Sequence, residues 1–365
     1  DGVCLAFDTH RLKNEVHGRL LAQERSAFLW PDPPKLPKEL QKQLDHRYQA
    51  GLNGATGIYK EALKSPEVLN DRKWREQISS YLQALQDIHK ESSLITTHEK
   101  ALQLTGNAKL HTFVFDEDFL KSLIRTDEIQ TSDIKTVRAE LKKASGDKSE
   151  ELRVWLKSVL DSPPKTTHKP YWPLHSRDET SGVLARALNS AESPVGALLG
   201  CDAYRRDSNG PDAPERIYCI TRRPLAEDCK HIVLSATADE EVYRRLFGDR
   251  LEFIDLSGTE LMGRVICHTG RSFAKTGVLK DLESFSDRVK KDMATHGFPG
   301  IITYKCCTEE KDGQTFLLRS GRMVPVIATF GALQGIDAFK GKDLAVYGTP
   351  YPPEQIVKLW ASLLG

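Results

Sequence analysis

The segment F-V-F-D-E-D-F at 113–119 restricts the fold of this chain more than any other segment. Its first three residues are apolar and predict a buried strand, which ends on the acidic run Asp116, Glu117 and Asp118. Open α/β sheets place ligands at the carboxyl ends of their strands, where these acids would lie. Carboxylates in that position can hold a hydrated Mg²⁺ on a nucleotide and activate an attacking water. A strand that runs into a solvated acidic turn has the same short pattern, so the neighbouring segments must decide.

The composition predicts a soluble globular protein with more than one hydrophobic core. The chain has 365 residues, of which 39% are hydrophobic and 28% are charged. No stretch approaches the roughly 18 consecutive apolar residues of a membrane span, so we expect no membrane partner. The formal net charge of +1 gives no global electrostatic attraction to nucleic acid, and any such binding would need local grooves.

The seven cysteines do not indicate a metal or redox site. Their number is odd, and none has the C-x-x-C spacing of zinc, haem or redox motifs. Cys306 and Cys307 are adjacent, which is more typical of a strand than of a metal site. A reducing compartment is the simplest interpretation, and we expect the protein to be cytoplasmic.

The chain opens with a strand, a polar cap and a helix, which is the βα step of a nucleotide-binding sheet. The apolar residues 3–7 form the predicted strand, and Asp8 and Thr9 precede a helix with one apolar face. The sheet resumes after Ser93, continues with the acidic strand, and returns at His231 with a strand, a small polar turn and a helix. We therefore predict a first α/β sheet assembled from separated segments.

A second α/β series is predicted towards the end of the chain. Its pattern is a helix at 278–294 followed by apolar strands at 301–306, 324–330 and 344–350. Alternating helices and strands imply a second parallel sheet.

Two segments interrupt the first sheet with mainly helical patterns. The first, 29–91, opens with several prolines and continues with apolar residues at helical spacing behind the capping residues Asn70 and Asp71. The second, 126–214, contains two helical patterns and then apolar runs that predict a β-hairpin. Basic residues on its helices are interleaved with acids, as is typical of a solvated face.

Five short blocks stand in a fixed order along the chain. They are T-H-x-L-x-x-E at 9–15, T-T-H-E-K-A-L at 96–102, D-E-D-F at 116–119, L-S-A-T at 234–237 and L-Q-G-I-D…Y-G-T-P-Y-P-P at 333–353. Together they resemble the motifs of the XPD/DinG-like helicases of superfamily 2. The resemblance covers a little over half of the chain, and the last block is its most specific part.

The resemblance implies an α/β fold with two RecA-like parallel-sheet lobes and two largely helical insertions in the first lobe. The implied ranges are 1–28, 92–125 and 215–256 for the first lobe, 29–91 for an insertion at the position of the family's iron-sulfur domain, 126–214 for an arch-like insertion, and 257–365 for the second lobe. No cysteine lies between Cys4 and Cys201, so four-cysteine ligation is impossible there and we expect no iron-sulfur cluster.

The resemblance also assigns roles to single residues. Asp116 is similar to the carboxylate that holds Mg²⁺ through water, and Glu117 to the general base or water-positioning group. The remaining assignments are Ser235 and Thr237 for coupling hydrolysis to lobe movement, Gly335 and Asp337 for the second-lobe block near nucleotide, and Thr9, His10, Thr97 and His98 for nucleic-acid contact. For His10 and His98 a structural role is an equally open alternative.

The chain departs from the family pattern in three places. Asp118 and Phe119 stand where the acid box usually has Ala and His, and Gln334 replaces a Glu. No G-x-x-x-x-G-K-[ST] loop occurs in the chain, and the nearest imitation, G-R-S-F-A-K-T at 270–276, is predicted to be an ordinary loop. In the resembling family this loop precedes the first block and an arginine-finger motif follows the last one, so we expect the chain to be truncated at both ends. Without the loop, the chain is expected to bind ATP weakly or not at all.

The resemblance favours an ATP-dependent nucleic-acid helicase or translocase in which ATP is hydrolysed between two RecA-like lobes. ATP and Mg²⁺ would be the cofactors, and single-stranded or forked DNA and proteins of a replication, repair or defence complex would be the partners. A catalytically silent helicase-like scaffold in such an assembly is the alternative. A metal-dependent nuclease built on the three acids is a third possibility, and it would need further carboxylates around the same metal.

Overall fold

The computed structural model describes residues 2–25, 27–49, 55–88, 93–104, 109–143, 147–170, 184, 187–208, 214–256, 265–267, 270, 272–331, 341–350 and 352–365. The chain divides into two compact units. Unit 1 comprises Asp1–Ile254 and Pro353–Gly365, and unit 2 comprises Asp255–Pro352. The α/β class predicted from the sequence is confirmed, because both units contain a parallel sheet with helices.

The elements of unit 1 are β1 (Val3–Phe7), α1 (His10–Ala22), β2 (Phe28–Leu29), α2 (Lys38–Gln49), α3 (Ala55–Ala62), α4 (Pro66–Leu69), α5 (Arg72–Asp87), β3 (Ser93–Thr97), α6 (His98–Ala101), β4 (Thr112–Asp116), α7 (Leu120–Leu123), β5 (Ile124–Gln130), α8 (Thr131–Lys143), α9 (Asp147–Asp161), β6 (Thr167–His168), β7 (Ala203–Asp207), β8 (Arg216–Arg222), β9 (Lys230–Leu234) and α10 (Glu240–Phe247). Those of unit 2 are α11 (Lys275–Lys280), α12 (Leu282–His296), β10 (Ile301–Thr303), β11 (Thr308–Lys311), β12 (Gln314–Leu317), β13 (Val326–Thr329) and β14 (Ala345–Val346). Helix α13 (Glu354–Leu364) returns to unit 1.

The central sheet of unit 1 has five parallel strands in the order β2-β3-β1-β4-β9. Strand β4 lies next to β1 and buries Phe113 and Phe115, whose side chains are at most 1% exposed. Helix α1 starts where predicted, because the Thr9 hydroxyl accepts a hydrogen bond from the Leu12 amide and caps the first turn. The predicted strands of this sheet therefore form, with β4 inside it.

Helices α2 to α5 occupy most of the first insertion and enclose a small core of their own. Ile58, Tyr59 and Ile78 are fully or almost fully buried in it. The predicted cap of α5 is present, since the Asp71 carboxylate accepts a hydrogen bond of 3.0 Å from the Trp74 amide.

The second insertion differs from the largely helical expectation, because it contains much of a four-stranded antiparallel sheet of order β5-β8-β7-β6. The predicted hairpin is confirmed as the pairing of β7 with β8, but the sequence pattern does not predict β5 and β6. Charged side chains in β5 hide its strand pattern, and three of them form ion pairs within the sheet. Arg125 binds Asp127 at 2.7 Å, and Arg216 on β8 binds Glu128. Helices α8 and α9 share a hydrophobic core with this sheet.

Unit 2 contains a three-stranded parallel sheet of order β13-β10-β14, which confirms the predicted second parallel sheet. The antiparallel hairpin of β11 and β12 is an addition to the predicted elements. At the carboxyl end of β10 the Tyr304 hydroxyl lies 3.1 Å from the carbonyl oxygens of Phe273 and Thr349, and it accepts from the Thr349 amide. Tyr304 therefore joins the loop before α11 to the end of β14.

Helix α13 packs on β7, β8 and α10 of unit 1. Leu359 is fully buried there, and Ile356 and Trp360 pack against the same core. The sequence pattern groups this helix with 257–365, whereas its contacts are those of unit 1. Within the described residues, no helix has the length and apolar character needed to cross a membrane.

Candidate functional site

The acid block lies at the carboxyl edge of the five-stranded sheet of unit 1. Because the five strands are parallel, the residues that follow each of them meet along this edge. The predicted residues found along it are Thr9 and His10 after β1, Thr97 and His98 at the end of β3, Asp116 and Glu117 at the end of β4, and Ser235 and Thr237 after β9. Gly335 and Asp337 lie outside the described residues.

Glu117 has an unusual backbone conformation for its residue type. Its φ angle is +71°, in the left-handed region that residues with a Cβ adopt at a cost. Its amide donates a 2.7 Å hydrogen bond to the carbonyl of Leu234, the last residue of β9. Strained backbone of this kind is concentrated at functional sites, where the surrounding structure holds it in place. The bond also joins the acid block directly to the segment that carries Ser235.

Asp116 and Glu117 are half-buried residues at this edge. Neither forms an ion pair or a side-chain hydrogen bond with another residue that the structure describes. Over the same residues, no three His, Cys, Asp or Glu side chains are grouped as metal ligands. A Mg²⁺ ion held through water on one carboxylate and on phosphate oxygens does not need such a group. The two acids therefore suit that kind of site.

Asp118 is engaged in a structural contact. Its Oδ1 accepts a 2.9 Å hydrogen bond from the Leu120 amide and a second, also of 2.9 Å, from the Tyr243 hydroxyl. Burial, followed by the charge of Asp118, raises the pKa of Tyr243, so its phenol stays a hydrogen-bond donor. Asp118 therefore differs from Asp116 and Glu117, because its carboxylate has hydrogen-bond partners among the described residues.

Phe119 fills the position where the resembling family has a histidine. It is 1% exposed and stacks on Phe115 with ring centroids 4.4 Å apart. An apolar ring in this place belongs to the core and provides no polar contact to the β9 segment. The neighbouring Asp118 instead bonds to Tyr243, on the helix that follows that segment.

Ser235 and Thr237 form a small turn after β9. The Thr237 amide donates a 3.1 Å hydrogen bond to the Ser235 hydroxyl, and the two hydroxyl oxygens are 3.4 Å apart. Thr237 is exposed and Ser235 is half-buried. The turn leads into Asp239, which caps α10 through the Val242 amide.

His98 is placed where its ring cannot reach a surface ligand. Only 1% of it is exposed, it packs edge-on against Phe115, and its Nδ1 is 4.0 Å from a carboxylate oxygen of Asp8. Burial lowers the pKa of His98, although Asp8 and the backbone of Ala6 and Asp116 act in the opposite direction. The ring is therefore neutral at pH 7, and contact with nucleic acid would require the surrounding segments to move.

A second cluster, which the sequence did not reveal, surrounds His10. The side chain of His10 is 55% exposed, and its Nδ1 lies 2.5 Å from Asp32, whose side chain is 48% exposed. Asp32 also binds the ammonium of Lys13, which is 1% exposed and bonds to the Trp30 carbonyl at 2.7 Å. Lys13 is the only buried residue of α1. A charged side chain on the apolar face of a predicted helix was therefore the available sequence signal.

Lys100 is a further residue that the motifs did not single out. Its ammonium lies 4.4 Å from the centre of the Trp30 ring, a cation–π distance, and bonds to Gln103 at 3.0 Å. Burial lowers the pKa of Lys100 to about 8. It therefore carries less than a full charge at mildly alkaline pH.

The Asp32 cluster predicts a pH-dependent contribution to stability. Burial by itself raises the pKa of Asp32, but hydrogen bonds from Lys13 and His10 outweigh it and hold the pKa below its usual range. A carboxyl group whose pKa is lowered by folding stabilises the folded state fully at pH values above its unfolded-state pKa of about 4. This contribution to the free energy of unfolding is lost as the pH falls through the folded-state pKa. Asp32→Asn is expected to be less stable at pH 7 by on the order of 1 kcal/mol, an amount discounted for solvent screening.

Urea unfolding between pH 3 and pH 7 measures this effect. The difference between wild type and Asp32→Asn should shrink towards acid pH. Asp45→Asn is the matched control, because Asp45 is exposed and bonds only to Gln41 among the described residues. A difference that stays constant over the whole pH range would contradict the assignment.

No protein-family model matches the chain, and no curated protein matches its sequence. The relation to XPD/DinG-like helicases is therefore a prediction from the five sequence blocks.

Proposed function

We propose that the protein is an ATP-dependent nucleic-acid helicase or translocase that acts on DNA. One observation carries the proposal. Motif blocks separated by more than two hundred residues in sequence come together along the carboxyl edge of one parallel sheet, on adjacent strands. This edge is where open α/β sheets bind ligands.

Asp116 and Glu117 would carry the chemistry. Asp116 would hold a hydrated Mg²⁺ ion, which supplies charge neutralisation on the phosphates when bound. Glu117 would orient the attacking water and accept its proton. Both residues are half-buried, and neither carboxylate is paired with another residue that the structure describes, which supports these roles. The strained backbone at Glu117 supports a functional position.

The turn of Ser235 and Thr237 would couple hydrolysis to movement. The residue before the turn, Leu234, accepts a hydrogen bond from the Glu117 amide. A movement of Glu117 during hydrolysis would therefore be transmitted to the turn through this one bond. Thr9, His10 and Thr97 would contact the backbone of single-stranded DNA. Thr9 caps the first turn of α1, and the amides of that turn that the cap leaves free could bind phosphates.

Unit 2 would be the second RecA-like lobe, which contributes the block with Gly335 and Asp337. Its parallel sheet supports this proposal. Proteins of a replication, repair or defence complex would be further partners.

A catalytically silent scaffold is the second candidate. It is favoured by Asp118 and Phe119, which replace two residues of the family's acid box and serve in packing. Such a protein would bind DNA without hydrolysing ATP.

Hydrolysis of ATP by the full-length protein distinguishes the two candidates. Phosphate release is measured with Mg²⁺ in the presence of single-stranded DNA, duplex DNA or single-stranded RNA. We expect hydrolysis that single-stranded DNA stimulates severalfold. DNA binding without Mg²⁺-dependent hydrolysis would support the scaffold, and the absence of both would contradict both candidates.

A further inference from the structure

We infer that the hydrogen bond between Asp118 and Tyr243 positions the acid block against the segment after β9, and that both are positioning residues for Glu117. This inference rests on the proposed function. It gives a role to Asp118, which stands where the acid box of the resembling helicase family usually has alanine.

Tyr243 lies on α10, the helix that follows the turn of Ser235 and Thr237. It is 3% exposed, and its hydroxyl is 2.9 Å from the Asp118 carboxylate. The ring lies between those of Phe119 and Phe247, at centroid distances of 6.4 and 5.8 Å. The aromatic neighbours restrict the ring, so the hydroxyl has a defined position.

A second bond ties the same two segments together. The Glu117 amide donates to the Leu234 carbonyl at 2.7 Å. Residues 117 and 118 are therefore bonded to residues 234 and 243, one on each side of the turn. A shift of the turn relative to β4 must break one of these bonds or move the acid block with it.

The two bonds also explain how Glu117 keeps its left-handed backbone. A residue with a Cβ holds such a conformation only when its surroundings determine it from several sides. The amide of Glu117 is fixed by Leu234, and the next residue is fixed through its carboxylate by Tyr243 and the Leu120 amide. A hydrogen bond to a carboxylate is stronger than a neutral one, which suits it to this purpose.

The test compares two buried tyrosines of unit 1 in the full-length protein. Tyr243→Phe removes the hydroxyl and keeps the ring. Tyr204→Phe is the matched control, because Tyr204 is 6% exposed, lies in the antiparallel sheet and stacks on another ring, that of His168. We expect Tyr243→Phe to lower kcat for DNA-stimulated ATP hydrolysis by roughly tenfold, since small displacements of a catalytic group have effects of this order or larger. The KM for ATP should stay within about twofold of wild type, because the bond does not contact substrate.

Asp118 provides a conservative rescue. Asp118→Asn keeps an oxygen that accepts from Tyr243 and Leu120, and it should retain most of the wild-type kcat. Asp118→Ala should lose kcat as Tyr243→Phe does. Thermal unfolding of all variants separates this loss from a general loss of stability.

The possible results separate this inference from the proposed function. If the wild type does not hydrolyse ATP, the proposed function fails and the inference fails with it. If the wild type hydrolyses ATP but Tyr243→Phe behaves like Tyr204→Phe, only the inference fails. A kcat that falls in Tyr243→Phe and Asp118→Ala, and not in Tyr204→Phe or Asp118→Asn, supports it.

Discussion

In full-length protein, the Glu117→Gln variant is expected to bind Mg²⁺-ATP as tightly as wild type and to hydrolyse it about 10²- to 10⁴-fold more slowly, the range that a general base contributes. Glutamine keeps the size and shape of the side chain and can still bond to water, but it cannot accept a proton at neutral pH. Since the backbone at Glu117 is held by the bond to Leu234, the substitution should leave the fold intact. Single-turnover hydrolysis and nucleotide binding, measured side by side, test both parts.

Glu227→Gln is the control for the loss of one acid. Glu227 is 86% exposed and faces only Arg250, at 3.9 Å, among the described residues. Its hydrolysis rate should equal that of wild type. If Glu117→Gln hydrolyses ATP at the wild-type rate, Glu117 is not the base and the assignment of the acid block is wrong.

The second large effect is expected at Gly348. Replacing it with alanine should destabilise unit 2 by about 2–4 kcal/mol, the sum of backbone strain and overpacking. Its φ of +117° is accessible essentially to glycine alone, and an added Cβ would lie 2.6 Å from the Tyr304 ring. The ring cannot easily retreat, because its hydroxyl is bonded to Phe273 and Thr349. Urea unfolding followed by a probe in unit 2 measures the loss.

Gly297→Ala separates the two causes. Gly297 ends α12 with a φ of +69°, but an added Cβ would meet nothing within 4 Å. The free energy of unfolding of Gly297→Ala should therefore fall only by the cost of the left-handed backbone conformation, about 1 kcal/mol. Equal losses in the two variants would show that the contact with Tyr304 adds nothing.

The strands and helices with a plain periodic pattern are predictable from local sequence. Strand β1 and the cap at Thr9 occur where the pattern predicts them, because an apolar run followed by a capping residue favours a buried strand followed by a helix. The same holds for β4 and for the cap of α5 at Asp71. In these cases the local preference and the tertiary environment agree.

Elements whose stability comes from distant partners are not predictable in this way. Strand β5 carries charges in its middle, and it is recognisable only when β8 lies beside it and Arg216 reaches Glu128. Helix α13 follows the last strand of unit 2 in sequence but buries Leu359 in unit 1. Neither contact leaves a signal in the segment itself.

The candidate site shows the same division. The residue types at Asp116 and Glu117 placed the two acids at the end of a strand, as the structure has them, whereas the magnesium and nucleotide site that they suggest stays a prediction. That His98 is buried, and that Lys13 is neutralised by Asp32, depends on which side chains surround them.

The sequence by itself determined the α/β class, the two parallel sheets and the acidic edge, because each follows from apolar periodicity and from which residue types end a strand. Only the tertiary structure decided that Asp118 bonds to Tyr243 and that Glu117 bonds to Leu234. The two residues of each contact are more than a hundred positions apart in the sequence. They meet because β4 pairs with β9, which neither segment determines by itself.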